Sequence, residues 1–176
     1  MRNRWFIYVV IGLCFGILDW YFLDMLASLN QVQYLNGNLP AYVQAFIVIL
    51  LVSMNYGIWL IPVVPIAFYE MTRSHAIRKA ALAAIIIWST AILSYYTYYA
   101  FLLMFVGLPN LDFMLFSNDQ AVTYWADWWP PFRRIILDQF IEWIGIALIG
   151  GGIVGSMSAY LFKFLSISLK KKILKL

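Results

Sequence analysis

Four carboxylates lie inside long apolar stretches of this chain, where a charged side chain is costly. Asp19 and Asp24 lie in the first such stretch, and Asp138 and Glu142 lie in the last. A charge at the centre of a bilayer costs at least about 2.5–3.5 kcal/mol, so such side chains normally face protein or water. Asp138 and Glu142 are four residues apart and share one face of a helix. These acids are therefore the first candidates for a functional site.

Aromatic and amide side chains are expected close to these acids. Tyr95 and Tyr99 share a face of the third apolar stretch, and Asn55 lies near the middle of the second. Carboxylates and the faces of aromatic rings both attract positive charge. The pattern predicts an outward-facing, cation-preferring pocket around Asp19 and Glu142, with the other two acids nearer the membrane surface.

Simple pairing offers a structural alternative for the same acids. Arg134 precedes Asp138 by four residues, and Arg133 of the same loop could reach Asp24. An ion pair between residues four apart on a helix would fully account for Asp138. The two deeper acids could instead donate hydrogen bonds to neighbouring helices. Both interpretations stay open from sequence.

The composition identifies an all-α integral membrane protein. The 176 residues are 64% hydrophobic and 11% charged, whereas soluble domains are about 45–50% apolar and 25% charged. Basic residues flank the apolar stretches, so the net charge of +4 does not indicate nucleic-acid binding. A single cysteine, Cys14, and a single histidine, His75, exclude an internal disulfide and bis-histidine haem ligation. We expect no cofactor and no metal.

Four apolar stretches predict four membrane-spanning helices in one domain covering residues 1–176. They cover residues 5–28, 41–69, 80–107 and 135–165. Of the twelve Lys and Arg residues, two lie near the N-terminus, three in the loop 70–79, and five in or just before the basic tail 166–176. Because cytoplasmic segments carry an excess of Lys and Arg, we predict a four-helix bundle in the cell membrane with both termini cytoplasmic.

The second span and the loop before the fourth have irregular features. Pro62 and Pro65 remove backbone donors from span 2, which predicts a kinked, tilted or partly re-entrant helix. In the outer loop, Ser117 and Gln120 form a capping box before a Trp-rich amphipathic segment. We predict a short interfacial helix over 118–129, acting as an anchor or as a lid.

Glycines at helical spacing predict a close helix contact. Gly12 and Gly16 form a GxxxG motif in span 1, and Gly151 with Gly155 forms another in span 4. Such faces let two helix backbones approach closely. Since both motifs lie on the acid-bearing helices, we predict a tight contact between spans 1 and 4.

The outline resembles two families of four-span membrane enzymes, but their motifs are missing. The quinone-coupled disulfide-forming enzymes need cysteine pairs in outer loops, and Cys14 is the one cysteine of this chain. The lipoprotein signal peptidases use an aspartate in an FNxAD-type stretch, which is absent here. Two carboxylates sharing a proton could still activate water, so an aspartyl-type hydrolase is a remote alternative.

Two functions from different classes remain. The favoured one is a non-enzymatic subunit or accessory component of a larger membrane complex, with other membrane proteins or further copies of this chain as partners. The alternative is a small transporter or solute-binding component whose pocket takes a cationic molecule or ion. The two differ at Asp19 and Glu142. Asn and Gln should be tolerated there in a subunit and should abolish binding in a transporter.

Overall fold

The chain is helical throughout the part that the computed structural model describes, which is residues 2–35, 40–106, 129–130 and 132–173. Within these ranges, Pro40 and short connections at 58–59 and 75–76 are the non-helical positions. The helices are α1 (Arg2–Leu35), α2 (Ala41–Gly57), α3 (Leu60–Ser74), α4 (Ile77–Phe101) and α5 (Gln139–Ile173). Two π-helical segments, Leu102–Val106 and Arg133–Asp138, follow α4 and precede α5.

Three of the described helical segments are long and apolar enough to cross a membrane. They are Arg4–Leu26 with 23 residues, Ile77–Met104 with 28 and Arg133–Ser166 with 34. About 20 apolar residues suffice to cross the hydrocarbon core. The all-helical class expected from composition is therefore confirmed for the described residues, and the three helices are compatible with a membrane protein. The outer helix predicted over 118–129 lies outside the described residues, except for its last position.

The stretch predicted as span 2 is divided into α2 and α3 at Ile58 and Trp59. Pro62 has no N–H to donate to the carbonyl of Ile58, and that carbonyl instead accepts a 3.0 Å hydrogen bond from Ile61. Pro65 removes a second donor one turn later. The helix therefore breaks where its prolines weaken the backbone ladder, and each half is shorter than a full span.

Helix α4 is the central element on which α1, α3 and α5 pack. Much of its buried surface consists of alanines, and Ala80, Ala83, Ala84 and Ala91 are completely buried. Small side chains on a membrane helix allow neighbouring backbones to come close. These small side chains explain how α1, α3 and α5 can all pack closely against α4.

Both glycine motifs face α4 rather than each other. A Cβ atom built on Gly16 would lie 2.9 Å from the Cβ of Ser94, and one on Gly155 would lie 2.8 Å from the Cα of Ala81. Helices α1 and α5 have no extensive contact within the described residues. The predicted contact between spans 1 and 4 is therefore wrong. A GxxxG motif indicates close approach without identifying the neighbour.

Replacing Gly155 with Ala is expected to lower the free energy of unfolding by about 1–3 kcal/mol, because the new methyl group overlaps Ala81 and Ala84. Gly145 of the same helix is the matched control, since a Cβ there meets nothing within 4 Å. Thermal unfolding of both variants in one detergent measures the difference. Equal melting temperatures for the two variants would contradict the close α4–α5 contact.

Candidate functional site

Asp19 lies at the centre of the buried face of α1. Tyr8, Gly12, Gly16 and Leu26 occupy the same face at helical spacing, and Asp19 itself is 1% exposed. In the part of the chain that the structure describes, neither carboxylate oxygen of Asp19 has a hydrogen-bond partner. Burial of an unpaired carboxylate costs several kcal/mol or more. Asp19 is therefore the described buried acid whose carboxylate has no hydrogen-bond partner among the described residues.

Three aromatic rings pack in series, beginning with Tyr95 beside Asp19. Tyr95 of α4 interacts electrostatically with its carboxylate. The Trp59 ring lies 6.1 Å from the Tyr95 ring and 5.9 Å from the Phe15 ring, measured between centroids. Phe15 precedes Asp19 by one turn of α1 and so shares its face. We call Phe15, Asp19, Trp59 and Tyr95 the Asp19 cluster.

The Asp19 cluster contains a second polar group without a partner. The indole nitrogen of Trp59 is buried and donates no hydrogen bond to any described residue. Trp59 itself is 3% exposed, so bulk water does not reach it freely. Buried polar groups in proteins are normally paired with protein or ordered water, and exceptions call for an explanation. The cluster thus holds one acceptor and one donor without partners among the described residues, and Trp88 Nε1 and Ser89 Oγ are two further such atoms elsewhere, on α4.

Two further predicted site residues lie on the same side of α4 as the Asp19 cluster. Tyr99 is half-buried, packs near Trp20 of α1 with ring centroids 6.5 Å apart, and interacts electrostatically with Asp24. Asp24 is exposed and also interacts with Tyr95. The structure therefore brings together Asp19, Asp24, Tyr95 and Tyr99.

The acids of the last span lie elsewhere. Glu142 is exposed and interacts electrostatically with Tyr96, the neighbour of Tyr95 on α4. Adjacent residues on a helix point about 100° apart. Glu142 and Asp19 therefore lie on different sides of α4 and do not form one pocket. This outcome corrects the expectation that both deep acids face the same site.

The two remaining predicted residues add little to the site. Asp138 is exposed at the end of a π-helical segment. Because π-helical hydrogen bonds join residues five apart, Arg134 and Asp138 do not stack as in an α-helix, and these two described side chains form no ion pair. Asn55 belongs to α2, but its side chain lies outside the described part of the chain.

A second buried carboxylate, Glu70 of α3, was not predicted as a site residue. Its side chain is completely buried. The hydroxyl of Tyr8 donates a 2.6 Å hydrogen bond to Glu70 Oε2, and Arg4 Nη1 lies 3.3 Å from the same oxygen. Arg4 and Tyr8 come from the start of α1. The cluster therefore joins the beginning of α1 to the end of α3.

The sequence contains a signal that could have revealed Glu70. Val63, Ala67, Glu70 and Met71 are all buried on α3 and recur at helical spacing. The position of Glu70 close to Arg73 and two further cations instead indicated that it begins the basic loop that follows. Helical periodicity therefore predicts the burial of Glu70 better than the charges of its neighbours in the sequence do.

No known protein family, no curated protein and no solved structure matches this chain. The chemistry of the site therefore has to be argued from its own residues. Among the described residues, no three His, Cys, Asp or Glu side chains are grouped as ligands for a metal ion. The arrangement around Asp19 offers one buried anion, aromatic surfaces and one N–H donor. The anion and the ring faces attract a positively charged group, whereas the N–H donor needs an acceptor such as water.

Proposed function

We propose that this protein is a non-enzymatic subunit or accessory component of a larger membrane complex, in which α2 packs against a membrane-spanning helix of a partner protein. One observation carries the proposal. None of the α2 side chains that the structure describes is buried, and α2 has little contact with the other described helices. Tyr56 in its last turn stacks on Trp143, at a centroid distance of 5.5 Å.

The character of α2 supports a protein partner in the membrane. Its sequence, AYVQAFIVILLVSMNYG, has no charged residue. Phe46 and Ile49 are each 64% exposed. Helices in a bilayer gain stability by packing side chains against one another. The break at Ile58 and Trp59 directs α2 away from α4 and leaves it available for such packing.

The proposal includes four spans, with α2 and α3 together forming the second, and both termini on the cytoplasmic side of the cell membrane. The distribution of Lys and Arg supports this orientation. The ion pair between Arg4 and Glu70 also supports it, because the start of α1 then lies beside the end of α3. The break in span 2 fits a kinked spanning helix, whose two halves differ in direction.

Extraction from the native membrane in mild detergent, followed by mass analysis of the purified particle, tests this function. We expect a stoichiometric partner that is lost from the double variant Phe46→Ala/Ile49→Ala. The matched control is Phe164→Ala/Ile149→Ala, which removes the same two side chains from α5, where they are 69% and 70% exposed. A monomer, a homodimer, or equal loss of the partner from both double variants would contradict the proposal.

A second function, a solute-binding or small transport component, is favoured by a different observation. Asp19 is buried without a hydrogen-bond partner among the described residues, and it interacts electrostatically with Tyr95, whose ring packs against that of Trp59. A subunit that acts by packing alone has no use for such a group. The two functions are compatible, because α2 and the Asp19 cluster are separate features of the chain.

A further inference from the structure

Two of the described acidic side chains are buried, Glu70 and Asp19, and they differ in whether they have hydrogen-bond partners. Glu70 accepts a hydrogen bond from Tyr8 and pairs with Arg4. Asp19 is equally buried, yet neither of its oxygens is paired within the described residues. The cost of leaving a carboxylate buried and unpaired is large. Its persistence in a packed interface points to an occupant that is not part of the described chain.

The surroundings of Asp19 select the chemical class of the occupant. Hard metal ions such as Ca²⁺ take six to eight oxygen ligands, and Mg²⁺ requires six. The Asp19 cluster provides one carboxylate, and no group of metal ligands occurs among the described residues. Phe15, Trp59 and Tyr95 supply aromatic surface instead. Ring faces together with one carboxylate are well suited to an organic ammonium ion.

We infer that the Asp19 cluster binds a small organic ammonium ion, with Asp19 accepting hydrogen bonds from the ammonium group and Phe15, Trp59 and Tyr95 enclosing its carbon chain. The inference rests on the second proposed function and names the class of its ligand. The indole N–H of Trp59 can donate only to an acceptor, such as a water bound beside the ammonium ion, and not to the ammonium group itself. Asp24 and Tyr99 lie on the same side of α4 and interact electrostatically with each other.

Calorimetric titration of the purified full chain in lipid nanodiscs tests the inference. The probes are n-propylammonium chloride, its neutral isostere n-propanol, and sodium chloride. A hydrogen bond to a charged group is stronger than one between neutral groups, so we expect saturable binding of propylammonium at least about tenfold tighter than that of propanol. We expect sodium at the same concentration to displace little of the bound propylammonium.

Two isosteric variants locate the binding. Asp19→Asn should weaken propylammonium binding about tenfold or more, because the amide carries no charge. Glu142→Gln makes the same chemical change at an exposed acid on another side of α4 and should leave binding unchanged. The comparison of propylammonium with propanol in the unaltered chain needs no variant, so it decides the question even where Asp19→Asn does not fold.

Each contrary result overturns a defined part of the inference. Equal binding of propylammonium by Asp19→Asn and the unaltered chain would overturn the assignment to Asp19. Effective displacement by sodium would overturn the organic class of the ligand and leave a solute-binding function standing. Absence of saturable binding for every probe would overturn both this inference and the second function, without bearing on the partner of α2.

Discussion

Replacing Arg4 with Met is expected to lower the free energy of unfolding by about 2–3 kcal/mol. The substitution leaves Glu70 as a completely buried carboxylate whose remaining described donor is Tyr8. Removing one partner of a buried ion pair typically costs about 3–5 kcal/mol. We expect a smaller value here, because the Arg4 side chain is 28% exposed and is partly solvated. Denaturant titration in mixed micelles, followed by circular dichroism, measures the change.

The double variant Arg4→Met/Glu70→Met is expected to recover most of the stability lost in Arg4→Met. Apolar side chains of similar volume commonly replace a buried ion pair at little cost. Arg73→Met is the matched control, because Arg73 is an exposed cation of α3 that lies over the Tyr69 ring, 5.7 Å from its centroid. A loss in Arg73→Met as large as that in Arg4→Met, or a double variant less stable than Arg4→Met, would contradict the role assigned to Glu70.

Replacing Asp19 with Leu is expected to raise the free energy of unfolding, whereas Arg4→Met is expected to lower it. Leu has the same number of side-chain heavy atoms and the same branching as Asp, although it is bulkier, and it removes two buried oxygens that lack partners in the described structure. Removal of an unsatisfied buried polar group should raise the free energy of unfolding of the ligand-free protein by about 1–3 kcal/mol. Substitution of a functional residue commonly increases stability while it abolishes activity. The same micellar titration measures the effect.

Glu142→Leu serves as the control for Asp19→Leu, because Glu142 is exposed and its loss should change stability by less than about 0.5 kcal/mol. The two substitutions are chemically similar and differ chiefly in burial. A clear loss of stability in Asp19→Leu would mean that Asp19 supports the fold through its carboxylate. That result would remove the main reason for regarding Asp19 as a binding residue.

Asp19 and Glu142 show which features of the candidate site can be predicted from the sequence and which cannot. Asp19 stands out because a charge within an apolar helix must be accommodated by protein or water. Glu142 fits the same pattern, yet it is exposed whereas Asp19 is enclosed. The apolar residues of α1 and α5 surround their acids on every side, so hydrophobic periodicity does not show which face meets a neighbouring helix. Only the packing on α4 distinguishes the two acids.

The other differences between the predictions from sequence and the structure also have specific physical causes. The prolines of span 2 predicted a kink, but the direction in which α2 leaves α4 depends on packing that no local pattern encodes. Helix α1 continues to Leu35 although we expected a loop after residue 28, since the first glycine or proline after that position is Gly37. Both glycine motifs pack against small residues of α4. The sequence of α4 has no motif that identifies it as the helix those glycines contact.

The central claim is that α2 meets a helix of another membrane protein, and site-specific photo-cross-linking tests it most directly. A photoreactive amino acid is placed at Phe46 of α2 and, in a separate chain, at Phe164 of α5, which is similarly exposed. Irradiation of intact native membranes should give one discrete cross-linked product from position 46, containing a second membrane protein, and none from position 164. Products only with lipid, or the same products from both positions, would contradict the claim.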